Sequence, residues 1–129
     1  MARPNQRRLG RTSFERRMRK RVLVLAVALA GCGTCENEVT QSLLSPSGDL
    51  KAVVFNRGCG ATVGFNTQIS LIAADRALPN DGGNVLIVDE TIPFSLQWIS
   101  NGSLHISGPL TSRIFKKETE VAGVQIGYN

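Results

Sequence analysis

The chain has 129 residues and a formal net charge of +5 at pH 7, but this charge is concentrated at one end. Residues 1–31 carry nine Lys and Arg against one acid, Glu15, a net charge of +8, whereas residues 32–129 carry six basic residues against nine acids, a net charge of −3. The basic balance therefore belongs to the leader and does not predict a nucleic-acid-binding domain. The remainder is long enough for one domain with a modest core.

The first 31 residues have the order of a signal peptide. A basic and polar segment, 1–21, is followed by nine apolar residues, 22–30, and then by Gly31 and Cys32. Nine residues in a helix rise only about 14 Å, far less than the ~30 Å bilayer core, so a transmembrane span is not expected. The pattern predicts an export signal over residues 1–31.

The end of the apolar run, Leu29-Ala30-Gly31-Cys32, resembles the lipobox of bacterial lipoproteins. The resemblance implies cleavage just before Cys32, a diacylglyceryl group on its sulfur and a further acyl chain on its amino group. Two or more acyl chains give stable membrane attachment. Residues 32–38 are then the lipidated N terminus and tether. Gly33 is not the Asp that marks inner-membrane retention in enteric bacteria, which favours the periplasmic face of the outer membrane.

The basic segment is longer than the resemblance implies. Translation from Met18 would leave a compact leader in which Arg19, Lys20 and Arg21 precede the apolar run. Twin-arginine export is the alternative, but the residues after Arg17 fit its motif poorly. We therefore expect the true start at Met18.

The chain has three cysteines. If lipid occupies Cys32, then Cys35 and Cys59 remain as a pair in an oxidising compartment, where disulfides persist. The alternative, a redox or metal motif formed by Cys32 and Cys35, lacks a second ligand pair and a following helix. A Cys35–Cys59 disulfide is the prediction.

From residue 39 onward, short β-rich runs alternate with turn residues. Two runs flank a Pro- and Gly-containing turn at 45–49, and the apolar run 85–88 predicts a central strand buried on both faces. Alternating apolar residues on either side of Asn101-Gly102 predict a hairpin, and segments 114–118 and 121–128 a last pair.

These runs amount to about eight short strands, and no segment keeps a helical period. The sequence therefore predicts an all-β domain over residues 39–129, a single small antiparallel sandwich, barrel or bent sheet. The order of its motifs is similar to that of a group of small bacterial lipoproteins to which no activity is assigned. The resemblance is carried by segments 35–38, 45–48, 59–62, 64–68 and 82–85.

One loop has the composition of a ligand-binding segment. It is glycine-rich, includes Cys59, and carries polar side chains that a rigid scaffold could present. Its candidate ligand-binding residues are Arg57, Thr62, Asn66, Thr67 and Gln68. The alternative is that the glycines only let the chain turn beside a disulfide.

No catalytic or metal-binding set is predicted. The single histidine, His105, lies between Leu104 and Ile106 and is expected to face solvent, and no Gly-x-Ser-x-Gly elbow is present. Asp and Asn residues over 75–84 could collect Ca²⁺, but turn chemistry explains them equally well and their spacing is not that of an EF-hand. No cofactor is expected.

The sequence thus predicts a lipid-anchored, non-enzymatic binding module at the cell envelope, with a protein or glycan partner and no nucleic acid. Two alternatives remain open. One is a small envelope hydrolase or metal-dependent enzyme, and the other is a structural accessory subunit of an envelope complex.

Overall fold

The computed structural model describes residues 35–60 and 64–129. The signal peptide, Met18, Cys32 and Thr62 lie outside these residues. The described part of the chain contains nine β-strands and no helix, and hence no helix that could span a membrane. The strands are β1 (Glu36–Leu44), β2 (Leu50–Gly58), β3 (Asn66–Ala73), β4 (Leu86–Asp89), β5 (Ser95–Ser100), β6 (Ser103–Ser107), β7 (Ile114–Lys117), β8 (Glu120–Val121) and β9 (Val124–Tyr128).

The strands form two sheets that do not close into a barrel. Sheet A has the order β1-β2-β3-β4-β7, and sheet B has the order β5-β6-β9-β8. Every strand pair is antiparallel except β6 with β9, which are parallel. The predicted all-β class is confirmed, and the arrangement is that of a small two-sheet sandwich.

Period-two alternation places the core between the sheets. Ile69 and Leu71 of β3 are 0% and 2% exposed, and Leu104 and Ile106 of β6 are 0% and 1% exposed. Leu96 of β5 and Val124 and Ile126 of β9 also face the core. The core cluster contains Ala52, Val54, Ile69, Leu71, Val85, Leu86, Val88, Phe94, Leu96, Leu104, Ile106, Val124 and Ile126.

The first hairpin turns where the sequence predicts. The Gly48 N–H donates to the Ser45 carbonyl oxygen over 2.9 Å, which closes a turn whose second residue is Pro46. Gly48 follows with φ = 78°, a conformation that favours glycine. The Ser45 hydroxyl also accepts from the Leu50 N–H. Pro46 and Gly48 thus occupy the positions of the turn at which proline and glycine are favoured.

The expected pairing of segments 114–118 and 121–128 is wrong. β7 pairs with β4 at the edge of sheet A, whereas β9 lies between β6 and β8 in sheet B. Segment 121–128 is also not one strand, because Ala122 and Gly123, with φ = 51° and 76°, turn the chain between β8 and β9. Positive φ at both central residues is typical of a type I′ turn. Asn-Gly predicts such a turn from sequence, whereas Ala-Gly does not.

The hairpin at Asn101-Gly102 forms as predicted, but neither of these residues has a positive φ. The turn is therefore not type I′, and a register shift between Trp98 and Ser100 accompanies it. Its polar groups bind neighbouring segments: the Gly102 carbonyl oxygen accepts from the Gln125 N–H over 2.9 Å. The turn thus makes hydrogen bonds to β9 and to the first hairpin, and it does not adopt the type I′ geometry that Asn-Gly favours.

Burial of β4 on both faces is only partly realised. Leu86 and Val88 are buried in the core, but Ile87, on the outer face, is partly exposed. Residue Gly82 lies over this outer face, since a Cβ there would be 3.7 Å from Ile87 Cδ1. A single loop covers the outer face here, and it shields the strand less fully than a second sheet does.

Candidate functional site

The predicted disulfide lies at one end of sheet A. Cys35 and Cys59 are joined with an S–S distance of 2.06 Å and a Cα–Cα distance of 3.9 Å. The Cα distance is shorter than the 4.4–6.8 Å usual for disulfides. Antiparallel pairing of Glu36 with Gly58 makes the two cysteines directly opposite each other, one position beyond the paired strands.

The first strand begins within the tether that the sequence predicts over residues 32–38. β1 begins at Glu36, so residues 36–38 are paired with β2 instead of forming a free linker. Only Gly33 and Thr34 lie between Cys32 and the bridged Cys35.

Arg57, one of the candidate ligand residues, is engaged within the protein. Its Nη1 donates to Asn37 Oδ1 over 2.7 Å and to Asn80 Oδ1 over 2.9 Å. Asn37 Nδ2 in turn donates to the Pro79 carbonyl oxygen over 3.1 Å. This network fastens the 74–83 loop to β1 and β2.

Asn66 and Gln68 form a second internal network on the outer face of sheet A. Gln68 Nε2 donates to Asn66 Oδ1 over 2.7 Å, and Gln68 Oε1 accepts from the Gly83 N–H over 2.6 Å. Gln68 is only 3% exposed. Its amide therefore holds the end of the 74–83 loop against β3.

Thr67 points to the opposite face of β3 and organises the turn after β4. Its hydroxyl donates to the Glu90 carbonyl oxygen over 2.8 Å and accepts from the Ile92 N–H over 2.7 Å. Glu90 has φ = 68°, so this residue reverses the chain in a left-handed conformation. Arg57 and Asn66 are cross-strand partners and share the outer face of sheet A with Gln68, whereas Thr67 lies on the opposite face. All four side chains form hydrogen bonds within the protein.

Three of the residues considered for Ca²⁺, Asn80, Asp81 and Asn84, also use their side-chain oxygens within the protein. Asn84 Oδ1 accepts from the Leu71 N–H and its Nδ2 donates to the Leu71 carbonyl oxygen, both over 2.8 Å. Asn80 Oδ1 binds Arg57, and Asp81 Oδ1 accepts from the Gly82 N–H. Among residues 35–60 and 64–129, no three His, Cys, Asp or Glu side chains are grouped as metal ligands.

Sequence reasoning did not single out the outer face of sheet B. His105 is half-buried there, opposite Gln97 on β5 and Gly127 on β9, and a Cβ at Gly127 would be 3.0 Å from its Nδ1. The sequence signal for this face was the polar residue at every second position of β5 and β6, between the core residues. We define this polar face by Ser95, Gln97, Ser103, His105, Ser107 and Gln125.

A shallow groove on sheet A was also not predicted. It encloses about 290 Å³ beside the C-terminal end of β3, and its lining is mostly apolar. The lining residues are Ile72, Ala73, Arg76, Ala77 and Pro79. Its walls are brought together by the 74–83 loop as it leaves β3 and turns back toward Asn37.

Comparison of the chain with protein-family profiles, with curated proteins and with solved structures found no match.

Proposed function

We propose that the protein is an exported bacterial lipoprotein, anchored through Cys32, whose β-sandwich is a non-enzymatic binding module at the cell envelope. The observation that carries this proposal is the disulfide between Cys35 and Cys59. A disulfide is compatible with export, because such bonds persist outside the reducing cytoplasm. It also uses the two cysteines that lipidation of Cys32 would leave.

The polar face of sheet B is the surface we propose for the partner. Its side chains are hydroxyls, amides and one imidazole, which both donate and accept hydrogen bonds. None of these six side chains is an acid, Lys or Arg, and one carboxylate, that of Glu120, lies beside them because Glu120 pairs with Gln125. A protein or glycan with matching hydroxyl and amide groups is the partner class that suits it.

The anchoring part of the proposal is tested by labelling cells with radioactive palmitate. Wild-type protein and a Cys59→Ala variant should both incorporate label and sediment with membranes, because both retain the Leu-Ala-Gly-Cys motif. A Cys32→Ala variant should do neither. Equal labelling of Cys32→Ala and wild type would refute the lipid anchor.

The binding part is tested with a charge placed on the polar face. Gln97→Arg puts a cation on an exposed position of this face, and Thr91→Arg puts the same charge on an exposed position outside it. Capture of an envelope protein from detergent-solubilised membranes, or binding to isolated cell-wall glycan, should be lost in Gln97→Arg and kept in Thr91→Arg. Equal binding by the two variants would remove this face from the proposal.

A further inference from the structure

The two ends of the sandwich are separated from Cys32 by different lengths of chain. One end, which we call the bridged end, carries Cys35, Gly58, Cys59 and Phe65. The far end carries the turns at 45–49 and 101–102. The nine residues of β1 separate the two ends by about 27 Å at ~3.3 Å per residue.

Covalent geometry limits how far the bridged end can lie from Cys32. The three residue steps from Cys32 to Cys35 span at most about 11 Å when fully extended. The disulfide holds Cys35 on Cys59, so opening of the first residues of β1 cannot lengthen this connection. A lipid on Cys32 would therefore keep the bridged end near the membrane surface and the far end well away from it.

An exposed aromatic side chain lies at the bridged end. Phe65 is 53% exposed, although a Cβ on Gly58 would come within 2.6 Å of its ring atom Cε1. Glycine at position 58 thus lets the ring pack on the β2 backbone next to Cys59, with its other side open. Ile114, 40% exposed, begins β7 at the same end, since it pairs with Val88 and Val88 pairs with Thr67.

From these observations we propose that the bridged end docks on the bilayer surface and that Phe65 inserts into its interfacial region. The occupant of this surface is the membrane that holds the Cys32 lipid, so the inference rests on the proposed function. Aromatic and aliphatic side chains partition into the boundary between headgroups and acyl chains. The polar face of sheet B then stands upright on the membrane, with the far end directed away.

The structure supplies a matched pair of positions for the test. Ile99 is 60% exposed and lies beside the Asn101-Gly102 turn at the far end. That end is fixed relative to β1 because the Ser47 N–H donates to Asn101 Oδ1 over 2.7 Å. Phe65→Trp and Ile99→Trp therefore place a fluorescent indole at opposite ends of the domain. The single native tryptophan, Trp98, provides the background in both variants.

The experiment uses full-length lipidated protein, purified from membranes and reconstituted into phosphatidylcholine vesicles with brominated acyl chains. Bromine quenches indoles that reach the acyl region. Phe65→Trp should be quenched at least about twofold more than Ile99→Trp, which should match wild type. Equal quenching of the two variants, or stronger quenching of Ile99→Trp, would overturn the inference.

Vesicle flotation and the mass of the N-terminal peptide separate the two proposals. A lipidated, floating protein whose indole at position 65 is not quenched would overturn membrane docking and leave the anchor intact. A protein that carries no lipid and does not float would overturn the proposed function, and docking with it.

Discussion

The Ser47 N–H donates to Asn101 Oδ1 over 2.7 Å and so joins the turns of two hairpins that lie 54 residues apart in the sequence. A second polar contact lies close by, where Trp98 Nε1 donates to the Leu43 carbonyl oxygen over 3.1 Å. Leu43 belongs to sheet A and Trp98 to sheet B. These two hydrogen bonds fasten the sheets together at the far end, whereas the disulfide closes the other end of sheet A.

Removing the acceptor at Asn101 should loosen this end. We expect Asn101→Ala to lower the free energy of unfolding by about 1 kcal/mol, because the Ser47 N–H loses its partner. Asn101→Asp keeps an acceptor oxygen and should lose less than half as much. Urea denaturation of the three proteins measures both effects. Equal losses in the two variants would show that the hydrogen bond contributes little.

Several strands could be predicted because their apolar residues follow a period of two, although the centres of β2 and β3 are buried on both faces. The alternation of Leu104 with His105 and Ile106, and of Ile69 with Ser70 and Leu71, marks the inward face without further information. The partner of β7 could not be predicted, because strand order depends on which edges remain open. The sequence of residues 114–117 does not indicate that the free edge available for pairing belongs to β4.

The candidate site was harder to predict than the fold. Polar residues in a glycine-rich loop could equally bind a ligand or hold the chain to itself. Only the structure shows that Arg57 reaches Asn37 and Asn80, and that Gln68 reaches Gly83. The disulfide was predictable from cysteine parity, which does not depend on side-chain direction.

The β8–β9 turn offers a stabilising substitution. Ala122 has φ = 51°, a left-handed conformation that costs an L-residue with a Cβ about 1 kcal/mol. Asn tolerates this region better and is favoured in type I′ turns. Ala122→Asn should therefore raise the free energy of unfolding by about 0.5–1 kcal/mol, and Ala122→Val should lower it. A thermal or urea melt in which Val is tolerated as well as Asn would contradict this account of the turn.

The single tyrosine gives a pH-dependent signal. Burial of the phenol, and then the negative charge of Glu118, raise the pKa of Tyr128 from 10.0 to about 12. Absorbance titration of the folded protein should therefore have its midpoint near pH 12, and titration in urea near pH 10. Glu118→Gln should lower the folded midpoint. A folded midpoint near that of the unfolded chain would show that the phenol is well solvated.

The same shift sets the sign of a stability change. Below the unfolded pKa of 10.0, the phenol is protonated in both states and does not alter the pH dependence. As the pH rises from there toward 12, the unfolded chain loses its proton before the folded chain does, so this contribution to stability is lost. Urea melts over this pH range should show that the free energy of unfolding falls more steeply with pH in wild type than in Tyr128→Phe.

The disulfide should contribute substantially to stability. Cys35 and Cys59 are 24 residues apart, and linking them restricts the unfolded chain. On the chain-entropy model we expect the Cys35→Ser, Cys59→Ser double variant to lose about 3 kcal/mol. Reductant should destabilise wild type by a similar amount and leave the double variant unchanged. Full retention of wild-type stability after reduction would contradict a structural role for the bridge.

The most direct test of the account is the mass of the N-terminal peptide of the protein extracted from membranes, digested without reductant. We predict a chain that begins at Cys32, carries a diacylglyceryl group on that cysteine, and is linked through Cys35 to the peptide containing Cys59. An N-terminal peptide that extends upstream of Cys32 and contains an unmodified Cys32 thiol would contradict it.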